Sequence, residues 1–253
     1  MGTSPRVFVE SSVEQLMQFV AGIFNSVICE TAVRHDFCRI ALSGGTTPRA
    51  LYQLLAQNVM KDEVPWDKVQ IFFGDERDVP HDNVESNYRM AQRVLLDHLP
   101  IEPERVFPMP ADREDLQNGA AEYEQTIREI VPAGPNGIPS FDLILLGIGG
   151  DGHTASLFPG NAALGEKEKL VVSTFVPVLG RHRMTFTYPL INAAQCVLFI
   201  VTGDDKANTM GAILGEDEKA RANLPAAGVK PQGMLIYAMD SSAAKYSQFT
   251  HKS

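Results

Sequence analysis

Apolar, β-branched runs alternate with helix-periodic stretches along most of this chain, and that alternation restricts the possible folds more than any other feature. The runs are CRIALS, VQIFFGD, FDLILLGIG, LVVSTFVPV, RMTFTYP, QCVLFIVTG and MLIYAMD. Around them, SSVEQLMQFVAGIFNSVICETAV, PRALYQLLAQNV, SNYRMAQRVLLDHL and DLQNGAAEYEQTIREIV place apolar residues at three- and four-residue spacing, as amphipathic helices do. Strands alternating with helices predict an α/β fold: a doubly wound, mostly parallel sheet with helices on both faces, Rossmann-like in architecture. PAGPNGIPS reads as a surface connection and not as a linker, because a strand of the same character follows at once. Residues 1–253 are therefore expected to form one domain, and a composition 44% hydrophobic and 21% charged can supply its core.

The same composition narrows the partners. The longest apolar runs, FDLILLGIGG and QCVLFIVTG, stop well short of the roughly 20 residues of a membrane helix, so no membrane span is expected. MGTSPRVFVE lacks a basic-then-apolar leader, and Arg6 stands where a myristoylation motif needs Ser or Thr, which makes the cytoplasm the expected location. A formal charge of −9 argues against a nucleic-acid surface; an anionic small molecule requires cations concentrated locally. Cys29, Cys38 and Cys196 show no C-x-x-C spacing and read as core residues, without a disulfide framework or a thiolate zinc site.

The residues just after each strand point to the site. CRIALS leads into GGTTPRALY, VQIFF into GDERDVPHDNVESN, FDLILLGIG into GDGHTASLFPG, and VLFIV into TGDDKAN. Ligands of open α/β sheets bind outside the carboxyl ends of the strands, so four glycine-marked polar loops there describe one site.

Ser43-Gly44-Gly45-Thr46-Thr47-Pro48 joins a strand to a helix, with Thr47 expected at the N-cap and Pro48 at the first helical position. Two glycines let the backbone approach a ligand, and the free N–H groups with the helix dipole favour an anion. An ordinary tight turn would look similar; the hydroxyls of Ser43, Thr46 and Thr47 favour phosphate. No Walker loop is present. Lys206 falls in the first turn of a helix, where the macrodipole disfavours a cation unless an anion offsets it. It is therefore a phosphate candidate, or else a solvated lysine balanced by Asp204 and Asp205. Arg181 and Arg183 have the chemistry to close over a substrate, and equally that of a surface pair.

Gly74-Asp75-Glu76-Arg77 sets three charges directly behind a buried-type strand. Asp75 and Arg77 are candidates for holding substrate hydroxyls or charge, with Glu76 a structural partner. Ser86 reads as a helix N-cap, and Asn87 as a group that orients the Asp75 loop.

Gly147, Gly149 and Gly152 match the dinucleotide pattern G-x-G-x-x-G. That motif also needs a full crossover helix and an acid about 20 residues on. Here TASLF runs into Pro159-Gly160, and the later stretch VVSTFVPVLG holds no acid, so the match is accidental. Asp151 and His153 instead stand two apart on a strand-end turn, where a carboxylate can orient an imidazole for general base work. Neither H-E-x-x-H nor a G-x-S-x-G elbow occurs, so no metal is expected, and activated water is the economical nucleophile.

Taken in order, LSGGTTPRALY, FFGDERDVPHDNVESNYRM, LLGIGGDGHTASLFPG and VTGDDKAN resemble the signature blocks of the 6-phosphogluconolactonases, relatives of glucosamine-6-phosphate deaminase. The resemblance runs from about Val7 to about Lys245. It implies a fold of the sugar-phosphate isomerase type and hydrolysis of 6-phospho-D-glucono-1,5-lactone, the second step of the oxidative pentose phosphate pathway, without metal or organic cofactor. His153 would be the base that activates water, with Asp151 supporting it and Arg77 stabilising the oxyanion. Ser43, Gly44, Gly45, Thr46, Thr47, Lys206 and Arg183 would hold the 6-phosphate. A deaminase-like third block reads GIGxDGHIAFNEP; here Phe158 replaces its glutamate, and GDER replaces MDEY. Both departures count against the alternative of a deaminase or isomerase. A third reading, a non-catalytic sugar-phosphate sensor, would need the phosphate cradle but not Asp151 and His153. The oligomeric state, monomer or dimer, stays open.

Overall fold

A computed structural model describes residues 4–57 and 64–249. In chain order they form β1 (Arg6–Glu10), α1 (Val13–Arg34), β2 (Cys38–Leu42), α2 (Thr46–Leu55), β3 (Val69–Phe73), β4 (Asp75–Arg77), α3 (Asn87–Val94) and α4 (Leu116–Ile130). β5 (Leu143–Leu146), β6 (Val171–Val176), β7 (Arg181–Phe186), α5 (Tyr188–Asn192), β8 (Cys196–Val201), α6 (Ala207–Leu214), α7 (Glu218–Ala222) and β9 (Met234–Asp240) complete it. The helix expected over 48–59 starts earlier, at Thr46, and ends at Leu55; Asn58 and Val59 lie outside the described residues.

Six strands build one sheet in the order β1-β9-β8-β5-β2-β3, with every pairing parallel. β5 and β8 are buried at every position, as strands covered on both faces must be. This is the expected α/β architecture. The sequence reading missed β1: RVFVE is an edge strand, half-buried and charged at both ends, and so lacks the continuous apolar run of its neighbours.

Two further expectations are corrected. Asp75–Arg77 is not a loop but the short strand β4, and LVVSTFVPV and RMTFTYP supply strands outside the parallel sheet. β4, β7 and β6 form a separate antiparallel sheet in that order, with Asp75 opposite Thr185 and Arg77 opposite Arg183. β6 and β7 are joined by a short 3-10 turn closed by Gly180 at φ 61°, a left-handed conformation suited to glycine. So short a connection makes neighbours antiparallel, since parallel pairing needs a crossover. Gly74 carries the chain between the sheets: its N–H donates to Leu42 O at 2.9 Å and its carbonyl accepts from Phe186 N at 2.8 Å.

Helix α1 starts at Ser12, whose hydroxyl accepts from Gln15 N. Among the described residues it is the one helix long and apolar enough to cross a membrane by length and composition. Its stripe Leu16, Met17, Val20, Ala21, Phe24 and Ile28 is spent on the core, against β1, β2 and β9. Each large side chain so buried contributes about 1.5–3 kcal/mol. The T-shaped pair Phe72–Phe141 and the tilted pair Phe141–Phe186, with centroids 5.1 and 5.4 Å apart, tie the two sheets into one core. β2 lies between β3 and β5, so the connections leaving β2 and β5 diverge and open a crevice at their carboxyl ends.

Candidate active site

That crevice is a cleft of about 280 Å³, and four chain segments meet in it. The β2 loop supplies Ser43, Gly44, Gly45, Thr46 and Thr47; β4 and the start of α3 supply Asp75, Arg77 and Asn87; the loops after β5 and β8 supply His153 and Lys206. A larger hollow, about 670 Å³, lies against Leu224 and Pro225 and includes none of the catalytic or phosphate-binding candidates.

The β2 loop is built from beneath. Fully buried Tyr52 accepts from Ser43 N at 3.0 Å and donates to Ser43 O at 2.8 Å, so one phenol holds both backbone polar groups of that residue. Gly45, at φ 106°, is the true N-cap of α2 and has no side chain to cap it, which leaves the first N–H groups of the helix for a ligand. Thr47 is therefore not the N-cap but the second helical residue, and Pro48 is the third, where the missing N–H costs nothing. Thr47 instead shares a 2.7 Å hydroxyl hydrogen bond with Thr202 at the end of β8. Gly44 is required by its neighbour: a Cβ there would fall 1.8 Å from Asn87 Oδ1.

β4 alternates its side chains, as a strand must, so Asp75 and Arg77 share one face and Glu76 takes the other. Glu76 is fully buried and accepts from Arg77 N and Asn87 N on one oxygen, and from Ser86 Oγ and Tyr88 N on the other. Burial pushes its carboxyl up, and those donors pull it part of the way back. Glu76 is thus the structural partner expected from the sequence, and Ser86 is the N-cap of α3. Asn87 Nδ2 donates to Asp75 O at 2.9 Å and reaches Asp75 Oδ1 at 3.3 Å; Asp75 Oδ2 accepts from Ser156 Oγ at 2.7 Å. Arg77 donates to Glu85 O and faces the cleft.

After β5 the chain turns tightly. Gly149 N donates to His153 O and Gly152 N to Gly149 O, both at 2.9 Å, with Gly152 at φ 82°. Asp151 Oδ1 accepts from His153 N at 3.1 Å and lies 2.6 Å from His153 Nδ1, leaving Nε2 for the cleft. Asp151 itself stands behind the imidazole and off the cleft wall. Burial alone would raise its carboxyl, but the His153 N–H, the imidazole charge and the ring hydrogen bond hold it below its ordinary value. A Cβ on Gly149 would meet His153 Nδ1 at 2.1 Å, so this glycine makes room for the pair. Ala155, on the cleft wall, is left-handed at φ 47°, which costs a non-glycine residue energy and marks a constrained turn.

Lys206 ends a 3-10 turn that runs directly into α6, and its Nζ donates to Asp205 at 2.6 Å; Asp204 pairs with Lys245 instead. Asp240 accepts from Gly203 N and so anchors the Lys206 loop. The two arginines of β7 are not brought into the cleft. Arg181 pairs with Asp78 and Glu85, and Arg183, nearly buried, donates to His182 O and lies 3.6 Å from Asp78. Burial and the adjacent Arg77 charge hold the Arg183 guanidinium below its ordinary value. Among the described residues no three His, Cys, Asp or Glu side chains converge as a metal-ligand set.

The sequence reading missed Tyr52, Ser156, Thr202 and Asp240. Ser156 sits three residues after His153, yet no spacing rule connects it to Asp75, 81 positions away.

A 6-phosphogluconolactonase of Synechocystis sp. is 41% identical over 206 residues, covering 81% of this chain and 83% of the relative. That of Streptomyces coelicolor is 32% identical over 250 residues, covering 96% and 95%. The solved 6-phosphogluconolactonase of Trypanosoma brucei superposes with a TM-score of 0.82 at 28% identity, covering 96% of this chain and 98% of that one. The family model described as glucosamine-6-phosphate isomerases/6-phosphogluconolactonase matches residues 11–237, and with these relatives it shows that the chain belongs to that family.

Proposed function

We propose that this chain is a 6-phosphogluconolactonase that hydrolyses 6-phospho-D-glucono-1,5-lactone to 6-phospho-D-gluconate in the oxidative pentose phosphate pathway, as a single cytoplasmic α/β domain without a cofactor. The names of its relatives support the activity. The observation that carries the mechanism is the His153–Asp151 pair, 2.6 Å apart, beside a cleft whose other walls bring Arg77, Lys206 and the uncapped end of α2.

His153 Nε2 takes a proton from water as the water oxygen bonds to the lactone carbonyl carbon. Asp151 fixes the tautomer through Nδ1 and stabilises the imidazolium that forms. Arg77 faces the developing oxyanion. The bond from that carbon to the ring oxygen then breaks, the imidazolium returns its proton to the departing oxygen, and the new carboxylic acid ionises. Lys206 and the N–H and hydroxyl groups of Ser43 to Thr47 hold the phosphate. Asp75, fixed by Ser156 and Asn87, orients substrate hydroxyls. Arg183, opposite Arg77 in the β4–β7 register and so beside it on the same face of that sheet, adds to the local positive charge.

The test is hydrolysis of freshly generated phosphorylated lactone above its spontaneous rate, in a coupled dehydrogenase assay. His153→Ala is expected to abolish the enzymatic component, and Lys206→Ala to raise KM chiefly. A folded His153→Ala protein with wild-type kcat would remove the base. Ammonia released from glucosamine 6-phosphate would favour the deaminase reading.

A further inference from the structure

The geometry points to Phe158 as a positioning residue for the His153 imidazole, an inference that rests on the reading of His153 as the base. The two rings lie flat on each other, with centroids 4.0 Å apart and planes 18° from parallel. Phe158 is only 9% exposed, while the His153 side chain keeps 32% of its surface, so the phenyl is held by the protein and the imidazole is held by the phenyl.

The chain is shaped to bring the rings together. Leu157 N donates to Thr154 O at 2.9 Å, closing a turn in which Ala155 takes its left-handed conformation, and Asn161 N donates to Phe158 O at 3.0 Å. That reversal returns Phe158 over a residue five positions earlier. The Asp151 hydrogen bond fixes the imidazole at one point, Nδ1, and a ring fixed at one atom can still swing about that contact. A flat wall across one face removes the swing and keeps the edge bearing Nε2 turned to the cleft. A general base must sit within about 2.6–3.2 Å of the atom whose proton it takes, and a 1 Å displacement can cost roughly 100-fold in rate.

A residue that merely fills space would be replaceable by any apolar side chain of similar volume; a planar stack would not. Phe158→Ala, Phe158→Leu and Phe158→Tyr are therefore compared for kcat and KM on the phosphorylated lactone, with NMR of the His153 ring protons. Phe158→Ala is expected to lower kcat about 10- to 100-fold and Phe158→Leu about 10-fold, with KM within about 3-fold of wild type. Phe158→Tyr should restore most of kcat. The upfield ring-current shift of the His153 protons should be present in wild type and the Tyr variant and lost in the other two. If Phe158→Ala does not fold, the Leu and Tyr variants carry the comparison. Wild-type kcat in Phe158→Leu, or a rise in KM with kcat unchanged, overturns the positioning role. His153→Ala, assayed in parallel, separates the two ideas. An active His153→Ala protein sinks the base itself, whereas an inactive one beside a fully active Phe158→Leu sinks only the role of Phe158.

Discussion

Replacing Glu76 by Gln removes one oxygen from the point on which three site residues depend, and the cost can be worked from the hydrogen bonds. All four partners of the carboxylate are donors: Arg77 N at 2.7 Å and Asn87 N at 2.8 Å on Oε1, Ser86 Oγ and Tyr88 N at 2.9 Å on Oε2. A glutamine must aim its NH2 at one pair. On the Oε1 side it would orphan two backbone N–H groups. On the Oε2 side the Ser86 hydroxyl can rotate to accept, which leaves Tyr88 N–H without its acceptor and turns the Ser86 O–H away from its own. The cheaper orientation is this one, because a hydroxyl can re-aim and a backbone N–H cannot, and it leaves at least one donor unsatisfied, about 1–3 kcal/mol. Loss of charge-assisted strength in the remaining bonds adds to that cost, and relief of the burial penalty that pushes the Glu76 carboxyl up offsets part of it. A net loss of about 1–3 kcal/mol corresponds, at roughly 2–4 °C per kcal/mol for a chain of this size, to a fall of about 2–12 °C in Tm. Urea and thermal unfolding at pH 7 measure it. Because Asp75, Arg77 and Asn87 all hang from this segment, kcat/KM should fall as well. Stability within about 0.5 kcal/mol of wild type would refute the reasoning, since it would mean that the orphaned Tyr88 N–H finds another acceptor or was never buried.

Gly149→Ala should fold but lose at least about 100-fold in kcat, because its Cβ would fall 2.1 Å from His153 Nδ1 and 2.7 Å from Asp151 Oδ1; near-wild-type turnover would contradict this packing. Asp151→Asn should lower kcat while costing less than about 1 kcal/mol of stability, since the carboxylate is half exposed and its pairing is screened by solvent. The Asp151 carboxyl is held below its ordinary 3.8, so its stabilisation is present above that pH and lost as pH falls through the lower folded value. The wild-type advantage over Asp151→Asn in urea unfolding should accordingly shrink on acidification, and a gap that widens would reverse the sign. Burial raises the Cys38 thiol to about 12 and that of Cys196 to about 11, so at pH 8 a thiol reagent should modify at most Cys29 quickly in the native protein and all three only in denaturant. Rapid reaction of three thiols in buffer would show that the core opens.

Much of the site was legible because it obeys local rules. Glycine-marked loops at strand ends, the Asp151–His153 spacing, the Ser86 cap and the structural place of Glu76 all follow from residue chemistry within a few positions. The misreadings have local causes too. Thr47 looked like an N-cap because Thr is a good one, but Gly45 alone tolerates φ 106° at the bend, so the helix begins at Thr46 and not at Pro48. For Arg181 and Arg183 the sequence left a substrate clamp and a surface pair equally open, because nothing nearby in sequence opposes them; Asp78 and Glu85, about a hundred residues earlier, take up Arg181, and Asp78 lies beside Arg183.

By itself the sequence determined most of the order of strands and helices, the largely parallel sheet and the strand ends at which the polar loops gather, because hydrophobic period and turn chemistry act over short stretches. Only the tertiary structure decided that β4, β6 and β7 leave that sheet for one of their own. The same holds for Ser156 securing Asp75, Tyr52 clasping Ser43 and the ring of Phe158 lying on His153. Those contacts depend on how sheets dock and how a turn doubles back, and no periodicity records the direction in which a side chain meets a distant partner.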